Sequence, residues 1–525
     1  MAAAVYTTDL VDIIANITSI TGWTALGGGA SGLGFGPDFA MQGTNAVDKA
    51  VTASEKGHVF GSGAITPGTN THFFVWAFLA TPGVSDTLAN RGLTIAIGTS
   101  TTAYNKFHVE GSNTYGAIGR VGRCYPIRYV TTGNASAPYR TLVGAPTANP
   151  TQFGALANIL GTVKSSNLGI SAIRYGTGLF VTAGDSGAPA TLSAAAAQND
   201  TVANRWGILT FLGGSAYELQ GKLVIGQTSA GTPTLSYFSD SNKSILVVDT
   251  PHSLPDFSQI IIDHASTQFH LSGMTIEAAG TNNPGQLIFN NASTVSSLSG
   301  CSFVKIGETT LRAGVTVNGC TWRQAGLVTT NGATLTNSSF SSSSATTAVS
   351  VSALSQLVDC SFTSDGTGHA VNLGTVASST TMSWDCVDSG YAVTNGSSGN
   401  ETILVSVSSG QTLTINVGAG KSTPTYYNTG AGSVSVVSGQ VSLTITGLVA
   451  GSDVVLLVAG TTTPIVNIDA NAGTSYTYSY TYAAGTYIDV GVFKAGYVAK
   501  YVRNYLLSDV NSSLPIEQIV DRAYY

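Results

Sequence analysis

Between Phe269 and Leu404 the chain repeats one short phrase. It reads Leu-Ser-Gly-Met-Thr-Ile (271–276), Leu-Ser-Gly-Cys-Ser-Phe (298–303), Val-Asn-Gly-Cys-Thr-Trp (317–322), Leu-Thr-Asn-Ser-Ser-Phe (335–340) and Leu-Val-Asp-Cys-Ser-Phe (357–362). Each copy holds an apolar residue, a turn-capable pair, a small or sulfur-bearing residue, a hydroxyl residue and a large apolar one. Cys301, Cys320, Ser338 and Cys360 are spaced by 19, 18 and 22 positions, close to the periods of solenoid repeats. Alternation over so few residues predicts short strands, and the Gly, Asn and Ser clusters predict turns.

One such unit cannot bury its apolar face alone, so the units must stack, each strand pairing with the one beneath it. Cys301, Cys320, Ser338 and Cys360 then form an inward ladder of small residues, and Phe303, Trp322, Phe340 and Phe362 an inward ladder of large ones. The phrases resemble the right-handed parallel β-helix of the pectate-lyase superfamily and of phage tailspikes, over about Asp249 to Leu404. That resemblance implies a fold and leaves the chemistry open.

The chain is 525 residues long, which predicts more than one domain. Only 9% of it is charged while 43% is hydrophobic, so it is neither disordered nor an ordinary charged globule. Ser- and Thr-coated β-sheet, partly buried between subunits, fits this better than a cytosolic enzyme does. The net charge of −6 and the lack of a Lys/Arg run argue against nucleic acid. Three of the five cysteines occupy the ladder and Cys386 a degenerate copy, so they read as small packed hydrophobes; Cys124 stands alone, and no CxxC pair suggests zinc. The first residues have no basic stretch, and Asp9 and Asp12 break the apolar run, so no secretory signal is expected; no apolar stretch is long enough to span a membrane.

Taken in order, 1–22 is expected to form a short helix from Leu10, Ile13, Ile14 and Ile17 at helical spacing, with Gly22 as its stop. Residues 23–250 are expected to form a sandwich or jelly roll, from many short β-type runs such as His72–Leu79 and Leu93–Ile97. The parallel β-helix is placed at 251–405 and an immunoglobulin- or fibronectin-like sandwich at 406–510. A docking helix is placed at 511–525, with Ile516, Ile519, Val520 and Ala523 on one face. The fold class is therefore all-β, with a short helix at each end.

The glycine-rich run 27–36 lacks the strand and the Lys-Ser/Thr of a phosphate loop. Gly184-Asp-Ser-Gly-Ala-Pro189 resembles the nucleophile motif of trypsin-like proteases, but no upstream His stands in that family's context, and the phrase is a good turn. A glycan-cleaving β-helix needs two carboxylates on one face. Asp359, Asp385 and Asp388 are the candidates, and solvated turn acids are the plainer reading. His264, His270 and His369 are too dispersed for a metal, so no metal or cofactor is expected. Tyr476, Tyr478, Tyr480 and Tyr482 alternate onto one face of a strand, either packing on their own sheet or offering a contact face.

Gly36–Gly43, Tyr175–Gly178 and Ile260–Thr267 are similar to stretches of tailed-phage virion proteins. That resemblance implies a fibre- or spike-like appendage of the virion, a homotrimer among other virion proteins, touching host surface glycan. A tailspike-type polysaccharide depolymerase is the alternative.

Overall fold

The computed structural model describes residues 4–6, 10–27, 32–51, 55–68, 71–80, 93–109, 123–130, 140–157, 166–176, 180–183, 190–201, 204–226, 237–248, 258–279, 285–291, 295–392, 399–437, 439–482 and 485–524. The protein is nearly all β, and its only α-helix among these residues is Leu192–Asn199. It divides into two compact units, one of residues 1–334 with 338–349 and one of 335–337 with 350–525.

The first unit opens with two antiparallel sheets. One runs Arg123–Arg128, His72–Leu79, Ser166–Gly176, Ala46–Val51, Leu33–Gly36; the other runs Arg140–Val143, Ala103–His108, Leu93–Ser100, Gln152–Ala157, Lys56–Gly61, Trp23–Leu26. Phe73, Val75, Ile95, Ile97, Phe107, Phe153 and Ile170 share the core, as alternation in two facing sheets requires. The predicted helix at 1–22 is instead a strand, Leu10–Ile14, antiparallel to Ser166–Gly176. Its β-branched residues pack into the sandwich through Ile13 and Ile14, and tertiary pairing overrides the helical spacing. Arg174 fixes this strand by an ion pair with Asp12 at 2.5 Å. The guanidinium carbon lies 5.1 Å from the Trp76 ring and 4.7 Å from the Trp206 ring, a cation held between two π faces.

After Gly176 two columns of strands pair in parallel. Phe180–Ala183, Lys222–Ile225, Gln259–Ile262 and Gln286–Phe289 stack in register, as do Ala216–Leu219, Ser244–Val247, Thr275–Ala278, Ser302–Val304, Thr321–Arg323 and Ser339–Ser341. This is a parallel β-helix, and it begins well before residue 251. Its first rungs lack the Gly-Cys phrase and keep only the alternation of Tyr217 with Leu219 and of Ile245 with Val247, all buried. The aromatic ladder forms as expected: Phe303 and Trp322 are stacked at 4.9 Å, and Trp322 and Phe340 at 5.0 Å.

The turn-capable position of each phrase is a column of left-handed residues. Gly273, Gly300 and Gly319 have φ of 61°, 60° and 63°, and Asn337 and Asp359 have 51° and 53°. Only Gly, and at a cost Asn or Asp, adopts this backbone readily. Gly300→Val is therefore expected to destabilise by about 1–2 kcal/mol, whereas Gly300→Asn stays closer to wild type, since Asn already serves at 337. Urea midpoints of the two variants check this; equal midpoints would remove the conformational account of the column.

The second unit carries further parallel rungs. Leu357–Thr363, Thr380–Ser389, Thr412–Val417 and Ser433–Val437 pair in that order, and His369–Val376, Ile403–Val407 and Tyr426–Asn428 form a second ladder. Phe362 stacks on Trp384 at 6.1 Å. The solenoid strands thus run to Val437, past residue 405, and the sandwich begins at Gln440. One of its sheets is Ser475–Thr481, Gln440–Thr446, Ser512–Pro515; the other is Pro464–Asn471, Ser452–Val458, Tyr487–Phe493, Lys500–Leu506. The docking helix expected at 511–525 is not formed. Ser512–Pro515 pairs in parallel with Gln440–Thr446 and Ile516 is buried. Ile519 and Val520 are exposed, so the proposed apolar face is split. All five cysteines are buried free thiols.

Candidate functional site

Asp359 reaches the surface through a bulge. Val358 pairs with Asp385 and Ser361 with Val387, so Asp359 and Cys360 together face Cys386. An extra residue of this kind re-aims a side chain out of the ladder. Cys360 keeps its inward place, while Asp359, with φ 53°, turns its carboxylate outward. There it ion-pairs with Lys421, whose Nζ also lies 3.5 Å from Asp385 Oδ1. The two carboxylates are about half exposed, at 51% and 42%, and the lysine side chain is 18% exposed. Burial alone would lower the lysine pKa; Asp359 and Asp385 outweigh it and hold the ammonium above the usual lysine range. Its stabilising contribution is present at neutral pH and is lost only as pH rises through that raised value.

Asp388 follows Asp385 by three residues on the same strand but stands in register with the buried Phe362, while Asp385 stands in register with Val358. The Asp388 N–H donates to Ser422 Oγ at 2.6 Å, and its Oδ2 accepts from the Thr402 hydroxyl. Tyr391 is driven to a higher pKa by burial first, then by the carboxylates of Asp388 and Asp365, so it remains a neutral hydroxyl. Behind them, His369 Nδ1 donates to the Glu401 carbonyl at 2.8 Å, and its ring stacks on Tyr427 at 6.2 Å. Asp359 and Asp385 are thus brought together on neighbouring rungs, whereas Asp388 is turned toward the buried Thr402. Lys421 and Tyr391, which complete the group, lie outside every copy of the repeated phrase and carried no sequence signal.

The two carboxylates that a glycosidase dyad would use are here bridged by an ammonium. Such a dyad holds two carboxyls across a gap that the scissile bond and a water or the second carboxylate must share. Here the Lys421 ammonium bridges Asp359 and Asp385 across that gap. What remains is a strip of exposed oxygens, one ammonium and several hydroxyls. Such a strip can accept and donate hydrogen bonds to a polyhydroxylated ligand.

The tyrosine stripe packs against its own sandwich, with Tyr480 buried and the other three partly buried. Tyr476, Tyr478 and Tyr480 lie opposite Ile445, Leu443 and Val441. Tyr480 belongs to the sandwich core, with Tyr476, Tyr478 and Tyr482 packed against it. Tyr478 and Tyr480 stack at 5.4 Å, and the Tyr480 hydroxyl donates to the Ser508 carbonyl at 2.6 Å. Alternation fixed that the four share a face, and the second sheet decides that it is the inner one. Ser186 and its Gly-Asp-Ser-Gly phrase lie outside the described residues. His264 and His270 bond Ser266 and Ser297 at 2.7 and 2.9 Å. No group of three or more His, Cys, Asp or Glu among the described residues could hold a metal ion. No helix among them is long and apolar enough to cross a membrane.

No protein-family model matches the chain, and no curated protein is similar to it in sequence. Among solved structures it is similar to the Agl-KA catalytic domain, at 10% identity over 79% of this chain and 98% of that one, with a TM-score of 0.16. It is also similar to the catalytic domain of a GH87 alpha-1,3-glucanase solved with nigerose, at 10% identity over 79% and 83% of the two chains, with a TM-score of 0.22. Scores of this size carry no argument about fold or chemistry. The parallel β-helix rests on the strand register alone.

Proposed function

We propose that the chain is a non-catalytic β-helical appendage of a phage particle that contacts glycan on a host surface. The observation that carries the non-catalytic part is the Lys421 ammonium shared by Asp359 and Asp385, an ionic bridge where cleavage needs open space. The stacked rungs supply a rigid spacer. The charge content of 9% suits a protein whose Ser- and Thr-rich faces meet other subunits of a particle. Assembly as a homotrimer belongs to the same proposal; a monomer mass by light scattering at micromolar concentration removes that part of it.

A polysaccharide depolymerase is the second reading. It is favoured by the meeting of Asp359 and Asp385 on adjacent rungs. One experiment separates the two: the purified chain is incubated with surface polysaccharides of candidate hosts, and both retention and polysaccharide chain length are read. Retention with unchanged chain length is expected. Shortening that disappears in Asp385→Asn or Asp388→Asn establishes the depolymerase, and neither retention nor shortening removes glycan from the account.

A further inference from the structure

We infer that the outer face of the C-terminal four-stranded sheet holds a corner for a pyranose ring, built by Phe493 and Tyr501 over Gly491. The inference takes its ligand class from the glycan reading above and places a binding site on this sheet. Val454, Leu456, Val490 and Val492 point into the sandwich core. The residues between them, Asp453, Val455, Gly491 and Phe493, therefore face outward. Gly491 lies opposite Val455 on one side and Tyr501 on the other.

Although it belongs to the outer face, Gly491 is buried, because two aromatic rings cover it. A Cβ at this position would meet the Phe493 ring at 2.9 and 3.1 Å and the Tyr501 ring at 3.5 Å. The glycine is what lets the rings settle on the backbone. Phe493 and Tyr501 stand at 79° to one another, with centroids 5.1 Å apart, so one ring makes a floor and the other a wall. Tyr501 is 59% exposed, an unusual share for an aromatic ring that packs against a neighbour.

The rim of the corner is polar. Asp453 is paired opposite Phe493, with its Oδ1 accepting the Ala470 N–H at 2.7 Å and its other oxygen directed to no described partner. Arg503 follows Tyr501 on the same face and is exposed. A pyranose ring has an apolar C–H face and a girdle of hydroxyls, so it matches an aromatic corner bordered by a carboxylate and a guanidinium. A wholly apolar partner would strip water from both charges without replacing their hydrogen bonds.

The test uses the full chain on an array of immobilised bacterial O-antigens, capsular polysaccharides and teichoic acids. Tyr501→Ala removes the exposed ring, and Gly491→Leu dislodges Phe493; Lys421→Met probes the β-helix strip in parallel. Far-UV circular dichroism confirms that each variant is folded, and Tyr501→Ala leaves the fold intact because the ring is mostly exposed. Both sheet variants are expected to bind at least tenfold more weakly to whatever the wild type retains. If they bind as wild type does, the corner is wrong while the glycan reading stands, and loss confined to Lys421→Met moves the site to the β-helix. A wild type that retains nothing overturns both.

Discussion

Trp322→Ala is expected to lower the stability of the first unit by about 3–5 kcal/mol, the range for emptying a buried Trp site. The side chain is 2% exposed and lies between the Phe303 and Phe340 rings, at interplanar angles of 17° and 7°. Its Nε1 donates to Thr309 Oγ1 at 3.3 Å, a bond that reaches from one strand column to another. In a solenoid each rung is supported by its neighbours, so the cavity weakens two interfaces at once. Urea unfolding followed by near-UV circular dichroism measures the change. Arg323→Ala, next in sequence but facing solvent, serves as the control and should fall within about 0.5 kcal/mol of wild type. Equal midpoints for the two variants would mean that the aromatic ladder does not hold the rungs together.

The second large effect is a loss of stability on mild acidification, centred on His58. The imidazole is fully buried beside Trp23, with ring centroids 5.2 Å apart. Burial, reinforced by the Lys49 charge and opposed by a backbone contact with Val47, lowers its pKa to about 3. The unfolded chain binds this proton near pH 6.5 and the folded chain only near 3. Stability is thus complete above about pH 6.5, and it falls as pH drops from there toward 3. The full fall is on the order of 4–5 kcal/mol, from about 1.4 kcal/mol for each pH unit of separation. Denaturant midpoints between pH 7 and pH 4 should show this slope. His58→Leu removes the proton-binding group and should flatten it; a variant with the wild-type slope would assign the acid sensitivity to other groups.

Much of the fold is legible in the sequence where one residue type is forced by one backbone state. Gly273, Gly300 and Gly319, like Asn337 and Asp359, mark a corner that recurs in every copy, and the left-handed φ values are the physical reason. The extent of the solenoid is harder to read. Rungs such as Gln259–Ile262 and Thr412–Val417 keep only an in–out alternation, which an antiparallel sandwich also has. The terminal segments mislead for a related reason. Ile13, Ile14 and Ile17 suit one face of a helix, but their partners lie more than a hundred residues away in Ser166–Gly176, and the sheet edge they complete outweighs local spacing.

The candidate site shows the same division. Asp359, Asp385 and Asp388 could be picked out as acids sharing a stack. Their role depends on Lys421, which arrives from a later rung and belongs to no copy of the phrase. The tyrosines show the limit of alternation, because period two groups Tyr476 to Tyr482 without saying which side of the sheet is covered. The outward pair, Phe493 and Tyr501, comes from different strands and meets over Gly491 only once the sheet has formed.

Imaging purified phage particles at side-chain resolution tests the central claim most directly. The account predicts ordered copies of this chain on the particle surface, with rungs about 4.8 Å apart, the Phe303–Trp322–Phe340 stack resolved and the Tyr501 face turned outward. Particles that carry no such copies, or copies whose Tyr501 face is buried against another virion protein, would contradict it.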